Sequence, residues 1–447
     1  MNPAANRAGR FAERAVTFAY LIVFAGIMWP PDAYFTGEPV IPQGGSNIWD
    51  FMEFALLLPF LAIGFYARRR ELPWLVVCAW PVLALAALAF LSAFWSDAPA
   101  LVVRRAGTVT ASTLFGVYLA ARGDIGELVA ALVKVYAIAA MASMVLIVVA
   151  PSAATMTAAA YTHAWRGAFT DKNELGLACA EAIILSVYAY RGRYGPRWLA
   201  GLTIAAFLVL LVGSQSKTPV VVMMAALYVA LLVTALRRRS GTGLVVGYAL
   251  VVLGLAGSAL LAIGWQDALL FLGRDPTFTN RTRIWQLVLE YIARQPWFGY
   301  GYGGFWRADS VDATTLWVVL GFKTPHAHNS WLELALGLGI VGVAIAGLSW
   351  LAAIYRTLRV AAAPHAQHVA FCFALLAGIF FENLSEFEFF RPGRLMWALF
   401  VTVLVYLGRE VMLTRANHAE GRRLTIAARP ELYAAARRGV APEAVVP

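Results

Sequence analysis

Runs of about 20 apolar residues, the length that carries a helix across the hydrocarbon core of a bilayer, recur from one end of this chain to the other. Twelve can be read: 15–30, 49–66, 72–94, 103–121, 127–150, 174–190, 197–212, 218–236, 243–264, 329–355, 366–382 and 394–409. A length of 447 residues would otherwise suggest about two or three soluble domains. Only 14% of the residues are charged and the mean hydropathy is +0.68, against roughly 25% charged in soluble proteins. Lipid is therefore the expected solvent, and the expected fold class is all-α, polytopic, with about 12 transmembrane helices. Residues 1–414 are expected to form the membrane domain and 415–447 a polar, loosely ordered tail.

Charge orients the chain. A net charge of +11 and an isoelectric point near 9.7 might point to nucleic acid, but the cations sit in short clusters between apolar runs, as loops on a cytoplasmic membrane surface do. With the N-terminus inside, seven inside segments hold 22 of the 36 Lys and Arg. They are Arg7, Arg10 and Arg14; Arg68 to Arg70; Arg122; Arg191, Arg193 and Arg197; Arg237 to Arg239; Arg356 and Arg359; and a tail running from Arg409 to Arg438. Twelve spans return the C-terminus to the same side, and an odd number would break this agreement. Arg7, Arg10 and Arg14 before an apolar stretch resemble a secretory signal. No small-x-small cleavage site follows, and the stretch ends at Trp29-Pro30-Pro31, so it reads as an uncleaved first span. Cys78, Cys179 and Cys372 all fall inside apolar runs at spacings that suit neither a metal nor a disulfide framework.

Polar residues concentrate on the outward side. The loop from about 265 to 328 carries Ile284, Leu287, Val288, Tyr291 and Ile292 at helical spacing. These predict a short amphipathic helix along the membrane surface, and Gly299-Tyr-Gly-Tyr-Gly-Gly304 then breaks regularity. Thirteen Lys and Arg lie outward, against the usual bias: Arg104, Arg105, Arg166, Lys172, Lys217, Arg274, Arg281, Arg283, Arg294, Arg307, Lys323, Arg391 and Arg394. Long loops cross regardless of charge, which accounts for those within 265–328. It does not account for Arg166, Lys217 and Arg394, in short loops beside helix ends. Lys134 alone among the cations lies within a span, one turn in from its end.

Five outward segments stand out. In Trp165-Arg-Gly-Ala-Phe-Thr-Asp-Lys-Asn-Glu174, Asp171 or Asn173 is placed to cap the sixth span, whereas Arg166 has no capping role. Gly213-Ser-Gln-Ser-Lys-Thr-Pro219 sets Lys217 beside a positively polarised helix start, a conflict that an anion would relieve. Asn280-Arg-Thr-Arg-Ile-Trp285 supplies Arg281, and His326-Ala-His-Asn-Ser-Trp-Leu-Glu333 supplies His328 with Asn329 or Ser330 as helix cap. In Glu382-Asn-Leu-Ser-Glu-Phe-Glu388, followed by Arg391 and Arg394, the charges either pair internally or bind substrate. His326 and His328 lack the third ligand or H-E-x-x-H pattern of a zinc site. Arginine forks match phosphate oxygens, a helix N-terminus favours anions, and histidine can serve as a base near neutral pH. Together these residues suit group transfer from a lipid-linked diphosphate.

The Asn280–Trp285 segment, Gly299–Phe305 and His326–Leu334 with Gly337, Gly339 and Gly342 resemble the O-antigen ligase and polymerase superfamily. Arg166-Gly-Ala-Phe-Thr-Asp-Lys-Asn173 and Ser214-Gln-Ser-Lys-Thr218 are similar to its exopolysaccharide polymerase branch. The resemblance covers roughly 160–345, and the remaining helices by their number only. It implies metal-independent, cofactor-free glycosyl transfer at the periplasmic face of a bacterial inner membrane, inverting, from a glycan on undecaprenyl diphosphate. Partners would be that donor, a glycan or lipid-linked acceptor, membrane lipids, and polysaccharide chain-length or export proteins. The family's essential histidine and arginine map to His328 and Arg281, and a further arginine maps to Arg166. Ser216-Lys217 stands where the family often has serine-arginine, which keeps the charge and loses the fork. Lys217, Asn329, Arg391, Arg394, Glu382 and Arg166 are then the expected substrate-binding set. Two other readings are a ligase joining finished glycan to a lipid A core and a lipid-linked sugar transporter. Transporters place charge at the midplane on repeated, broken helices, whereas these spans read as nearly free of charge and show no internal repeat.

Overall fold

In a chain with so little charge, apolar residues lie all round the membrane-crossing helices, because lipid and neighbouring helices are equally apolar. The computed structural model describes residues 3–27, 48–156, 163–237, 242–243, 245–254, 281–361 and 368–428. Its helices are α1 (Pro3–Phe24), α2 (Ile48–Ala67), α3 (Leu72–Leu91), α4 (Pro99–Ala121), α5 (Ile125–Val149), α6 (Lys172–Gly192), α7 (Arg197–Ser214), α8 (Thr218–Arg237), α9 (Val245–Gly254), α10 (Arg281–Arg294), α11 (Val311–Leu320), α12 (Ser330–Ala361), α13 (Val369–Glu382) and α14 (Leu395–Ala428). Among the described residues β-structure is limited to an isolated bridge between Thr155 and Trp165. The protein is all-α and polytopic, and within the described residues the apolar runs of the sequence coincide with helices. Seven described helices are long and apolar enough to cross a membrane: α3 with its 3-10 extension to Phe94, α5, α6, α7, α8, α12 and α14. Phe54–Ala67, α9, α11 and α13 are shorter apolar helices.

The bundle is built round α14, of which 72% is buried along Leu395–Arg415. It packs on α3, α4 and α12, while α6 packs on α5, α7 and α8, and α13 lies against α8. Cys78, Cys179 and Cys372 are buried within this core. Past Arg415, α14 continues to Ala428, so the start of the expected tail is helix. Residues 429–447, Trp29 to Pro31, and the loop stretch 265–280 with Arg274 and Asn280 lie outside the described residues.

At the end carrying the long loop, a second core has formed. Ile284, Val288 and Tyr291 of α10 pack with Phe305, Trp306, Trp317, Leu320 and Leu336. Burying each such apolar side chain contributes about 1.5–3 kcal/mol. The amphipathic helix is present, but its apolar face meets protein rather than a bilayer surface. Helix α11 was not anticipated, although Ser310 accepts from Ala313 N–H at 3.3 Å and Gly321 ends it in a left-handed conformation.

Gly339 interrupts α12 with φ 63° and ψ −165°. A Cβ there would lie 2.2 Å from the carbonyl carbon of Trp297, so only glycine fits. The break frees backbone donors, and the loop satisfies them: Ile340 N–H donates to Pro296 O at 2.8 Å and Val341 N–H to Trp297 O at 3.3 Å. Irregular backbone inside a membrane helix is tolerated when protein supplies such partners. The glycine turn at 299–304 thereby locks the loop core onto α12, with Tyr300 N–H donating to Leu336 O at 2.9 Å.

Candidate functional site

Three chain segments converge on one carboxylate. Arg281 opens α10, His328 lies two residues before α12, and Glu386 sits on the loop between α13 and α14. Glu386 accepts from Arg281 Nη2 through Oε1 and meets His328 Nδ1 through Oε2 at 3.2 Å. The Arg281 Nη1 donates to Ser385 O on the same loop. Burial pushes the Glu386 carboxyl up, but His328 and Arg281 outweigh it and hold the group below the usual carboxylate range. Glu386 is therefore ionised at neutral pH. An ionised carboxylate only accepts hydrogen bonds, so His328 carries a proton on Nδ1, and its neutral form then has the lone pair on Nε2. The His328 side chain is 27% exposed, against 12% for Arg281 and 10% for Glu386. Histidine is thus the accessible member of the trio.

The backbone around His328 is over-determined. His328 has φ 51°, a left-handed conformation uncommon outside glycine. Its N–H donates to His326 Nδ1 at 3.1 Å, and Trp285 Nε1 donates to Ala327 O at 2.9 Å. Ala327 N–H donates to Glu333 Oε2 at 2.9 Å, while Trp306 Nε1 holds the other oxygen of that carboxylate. Such conformations persist only where the surroundings hold them, and they cluster at functional sites. His326 packs its ring 4.2 Å from that of His328. Burial, then repulsion from His328 and the nearby arginines, drives its pKa well below the ordinary value, so it stays neutral.

Asn329 caps α12, accepting from Trp331 N–H at 3.0 Å and Leu332 N–H at 3.1 Å, an arrangement that contributes about 1 kcal/mol. Its amide also donates to Leu384 O at 3.0 Å. Ser330 and Asn383 clamp the Glu386 loop: Ser330 Oγ donates to Glu386 O at 3.2 Å, and Asn383 Oδ1 accepts from Glu388 N–H at 3.2 Å and Phe389 N–H at 2.6 Å.

The expected cations divide. Arg391 Nη1 pairs with Glu388 at 2.9 Å, and Arg394 reaches both Glu174 and Glu388. This is the internal pairing weighed for that cluster. Arg166 donates from Nε to Ala153 O at 2.7 Å and from Nη1 to Thr170 O at 3.2 Å, tying its segment to the short helix Pro151–Ala154 that follows α5. Asp171 caps α6, and Asn173 accepts from Ser216 Oγ at 3.0 Å, joining the 165–174 and 213–219 segments. Lys217 is exposed on that turn. The Arg394–Glu174 pair links these two segments to the Glu386 loop, so all five polar segments meet at one end of the bundle.

Two acids were overlooked from the sequence. Glu386 could have been found as an acidic side chain in a segment already rich in Asn and Ser, but nothing local distinguishes it from Glu382 and Glu388. Glu181 lies in the middle of α6 and accepts from Tyr136 OH of α5, so the spans are less free of charge than they read. Glu382 is 2% exposed, and its Oε1 bonds nothing among the described residues.

Residues 199–347, which include Lys217, Arg281 and His328, match a family model described as O-antigen ligase. The chain is also 31% identical over 211 residues to the exopolysaccharide production protein ExoQ of Rhizobium meliloti (strain 1021), an alignment covering 44% of this chain and 48% of that protein. The chain thus spans about half the length of the relative it matches. The family match agrees with the superfamily resemblance drawn from the motifs, and the R. meliloti relative with its exopolysaccharide branch.

Proposed function

We propose that this membrane protein transfers a glycan from a polyprenyl-diphosphate-linked donor to a sugar hydroxyl, adding repeat units to a growing polysaccharide on the periplasmic face of a bacterial inner membrane. The observation that carries the reading is the Glu386 carboxylate bridging Arg281 and His328. With Nδ1–H held by Glu386, His328 Nε2 accepts the proton of the acceptor hydroxyl as its oxygen attacks the anomeric carbon. The bond from that carbon to the phosphate oxygen breaks, and the diphosphate leaves with the electron pair. One displacement with no enzyme nucleophile inverts the anomeric centre. Arg281 stands beside the histidine, where negative charge grows on the leaving group, with N–H groups beyond the two given to Ser385 and Glu386. Diphosphate is already a good leaving group, so charge stabilisation supplies more of the acceleration than proton transfer does.

In this reading Lys217 adds charge toward the donor from the neighbouring turn. Arg166, Asn329, Arg391 and Arg394 set the segments in register round the substrate. The name of the R. meliloti relative supports polymer production over ligation. The alternative, ligation of finished glycan to a lipid A core or other acceptor, is separated by gel analysis of a deletion strain: loss of a polymerase leaves single lipid-linked repeats, and loss of a ligase leaves long lipid-linked chains. H328A should abolish product while the protein accumulates normally in membranes, and R281A should abolish product in whatever protein accumulates once its buried pair with Glu386 is lost. Glycan production persisting in either variant would sink the assignment.

A further inference from the structure

His328 works from a conformation that its own chain does not favour. At φ 51° it lies in the left-handed region, so its ring keeps its direction only while the residue before it is held. That residue, Ala327, is fully buried and gripped from both sides. Trp285 Nε1 donates to its carbonyl at 2.9 Å, and its N–H donates to Glu333 Oε2 at 2.9 Å. Trp285 sits one turn after Arg281 on α10, on the same face, and Glu333 lies in the first turn of α12. One residue thus fixes how the base stands relative to the cation beside the leaving group.

A carboxylate in the first turn of a helix is ordinarily accounted for by the helix itself, whose free N–H groups and dipole favour it. Glu333 is used differently. Asn329 already accepts from Trp331 and Leu332 N–H, and the Glu333 side chain turns back out of the helix to Ala327. Its other partner is Trp306, whose indole N–H is shared between the two carboxylate oxygens at 2.9 and 3.1 Å. Trp306 is buried and belongs to the loop core. Two donors from different segments therefore converge on one side chain, and both of its oxygens accept. A carboxylate can do this, whereas a glutamine amide turns its NH2 on one donor or the other. The position calls for glutamate because of its acceptor pattern rather than an opposite charge, since both partners are neutral N–H groups.

Resting on the transfer reading above, we infer that Glu333 is a positioning residue: it joins the loop core to the turn before α12, so that His328 Nε2 meets the acceptor hydroxyl beside Arg281. The test uses the full-length protein in nanodiscs, lipid-linked repeat units extracted from the producing strain as donor, and the same repeat units cleaved from lipid as acceptor, with released polyprenyl diphosphate measured. E333Q should lower kcat roughly 100-fold, the loss that a displacement of about 1 Å at a reacting centre can bring. Donor and acceptor KM should stay within about twofold of wild type, because neither substrate touches Glu333. Wild-type kcat should fall toward acid pH as His328 takes up a proton and ceases to accept one. Residual transfer in E333Q, no longer passing through that base, should lose this fall. A merely loosened protein would keep the wild-type pH profile at lower amplitude, and that result overturns the inference. So does wild-type kcat, and so does a raised KM, which would make Glu333 a substrate contact. If E333Q does not accumulate, E333D, which keeps the carboxylate but falls one methylene short of Ala327, replaces it under the same criteria. H328A in the same assay separates the two claims. An inactive H328A beside a Glu333 variant with wild-type kinetics leaves the transfer reading standing without the positioning role, whereas an active H328A sinks the transfer reading itself.

Discussion

At the scale of single residues, Glu386 does two things that no other described side chain does. It fixes the tautomer of His328 and neutralises Arg281, both at low exposure. Glu386→Gln keeps the shape and loses the charge, so His328 loses its orientation and Arg281 its counter-ion. Glycan transfer should fall by roughly 100-fold or more, within the range by which positioned proton transfer accelerates reactions. Breaking a buried ion pair also costs about 3–5 kcal/mol, so thermal inactivation should move with it. A variant that loses activity at unchanged stability would show that orientation alone matters, and one with wild-type turnover would remove Glu386 from the mechanism. His326 gives a prediction in pH. The unfolded chain takes up a proton near 6.5, the ordinary histidine value, while the folded protein takes it up only at much lower pH. Between those values the unfolded state binds more protons, so stability is complete above 6.5 and is lost as pH falls through the window. His326→Asn retains an acceptor for the His328 N–H and should flatten that acid limb in a melting series. An identical limb in the variant would place the acid sensitivity elsewhere.

At the scale of elements, α12 is informative because it is broken where the loop core docks. Gly339→Ala forces a side chain into a backbone conformation open essentially to glycine alone, costing roughly 1–3 kcal/mol, and drives a Cβ onto Trp297. Gly347, eight residues further along the same helix, has nothing within 4 Å of an added Cβ. Gly347→Ala should therefore be neutral or stabilising by up to about 1 kcal/mol, and comparing the two variants by thermal inactivation separates the break from helix propensity. Equal behaviour of the pair would mean that the break is dispensable. Most of this level was legible in sequence. Apolar length placed the spans, 3–4 spacing placed α10, and Asp171 and Asn329 were readable as caps. Helix α11 was not, although Ser310, Asp312 and Gly321 are start and stop signals. Its ten residues were overlooked within a loop judged by its glycines.

For the whole molecule, the basic clusters predict that both chain ends share one side and the α10–α11 region faces the other. Asp309 is exposed in that region and Arg193 at the opposite end of α6. All three native cysteines are buried, which keeps background labelling low. In intact cells with a permeable outer membrane, D309C should react with an impermeant maleimide and R193C only after lysis. The reverse pattern would invert the proposed orientation and move the site to the cytoplasm.

The sequence alone determined the solvent, the helices and the set of polar segments, because apolar run length and local spacing report what surrounds each stretch of chain, and that is a short-range property. The same reading singled out His328 and Arg281 as candidates from their immediate neighbours. Tertiary structure decided which acid serves them. Glu386 lies 58 residues from His328 and 105 from Arg281, and it is told apart from Glu382 at the end of α13 and Glu388 on the same loop only by the clamp that Ser330 and Asn383 place there. It also decided that Arg391 and Arg394 face acids of the protein rather than open space, and that Glu181, silent within an apolar run, shares a cavity with Glu382. Whether a buried charge meets an opposite charge, a hydroxyl or nothing depends on how distant helices pack, and no local pattern in the chain encodes that.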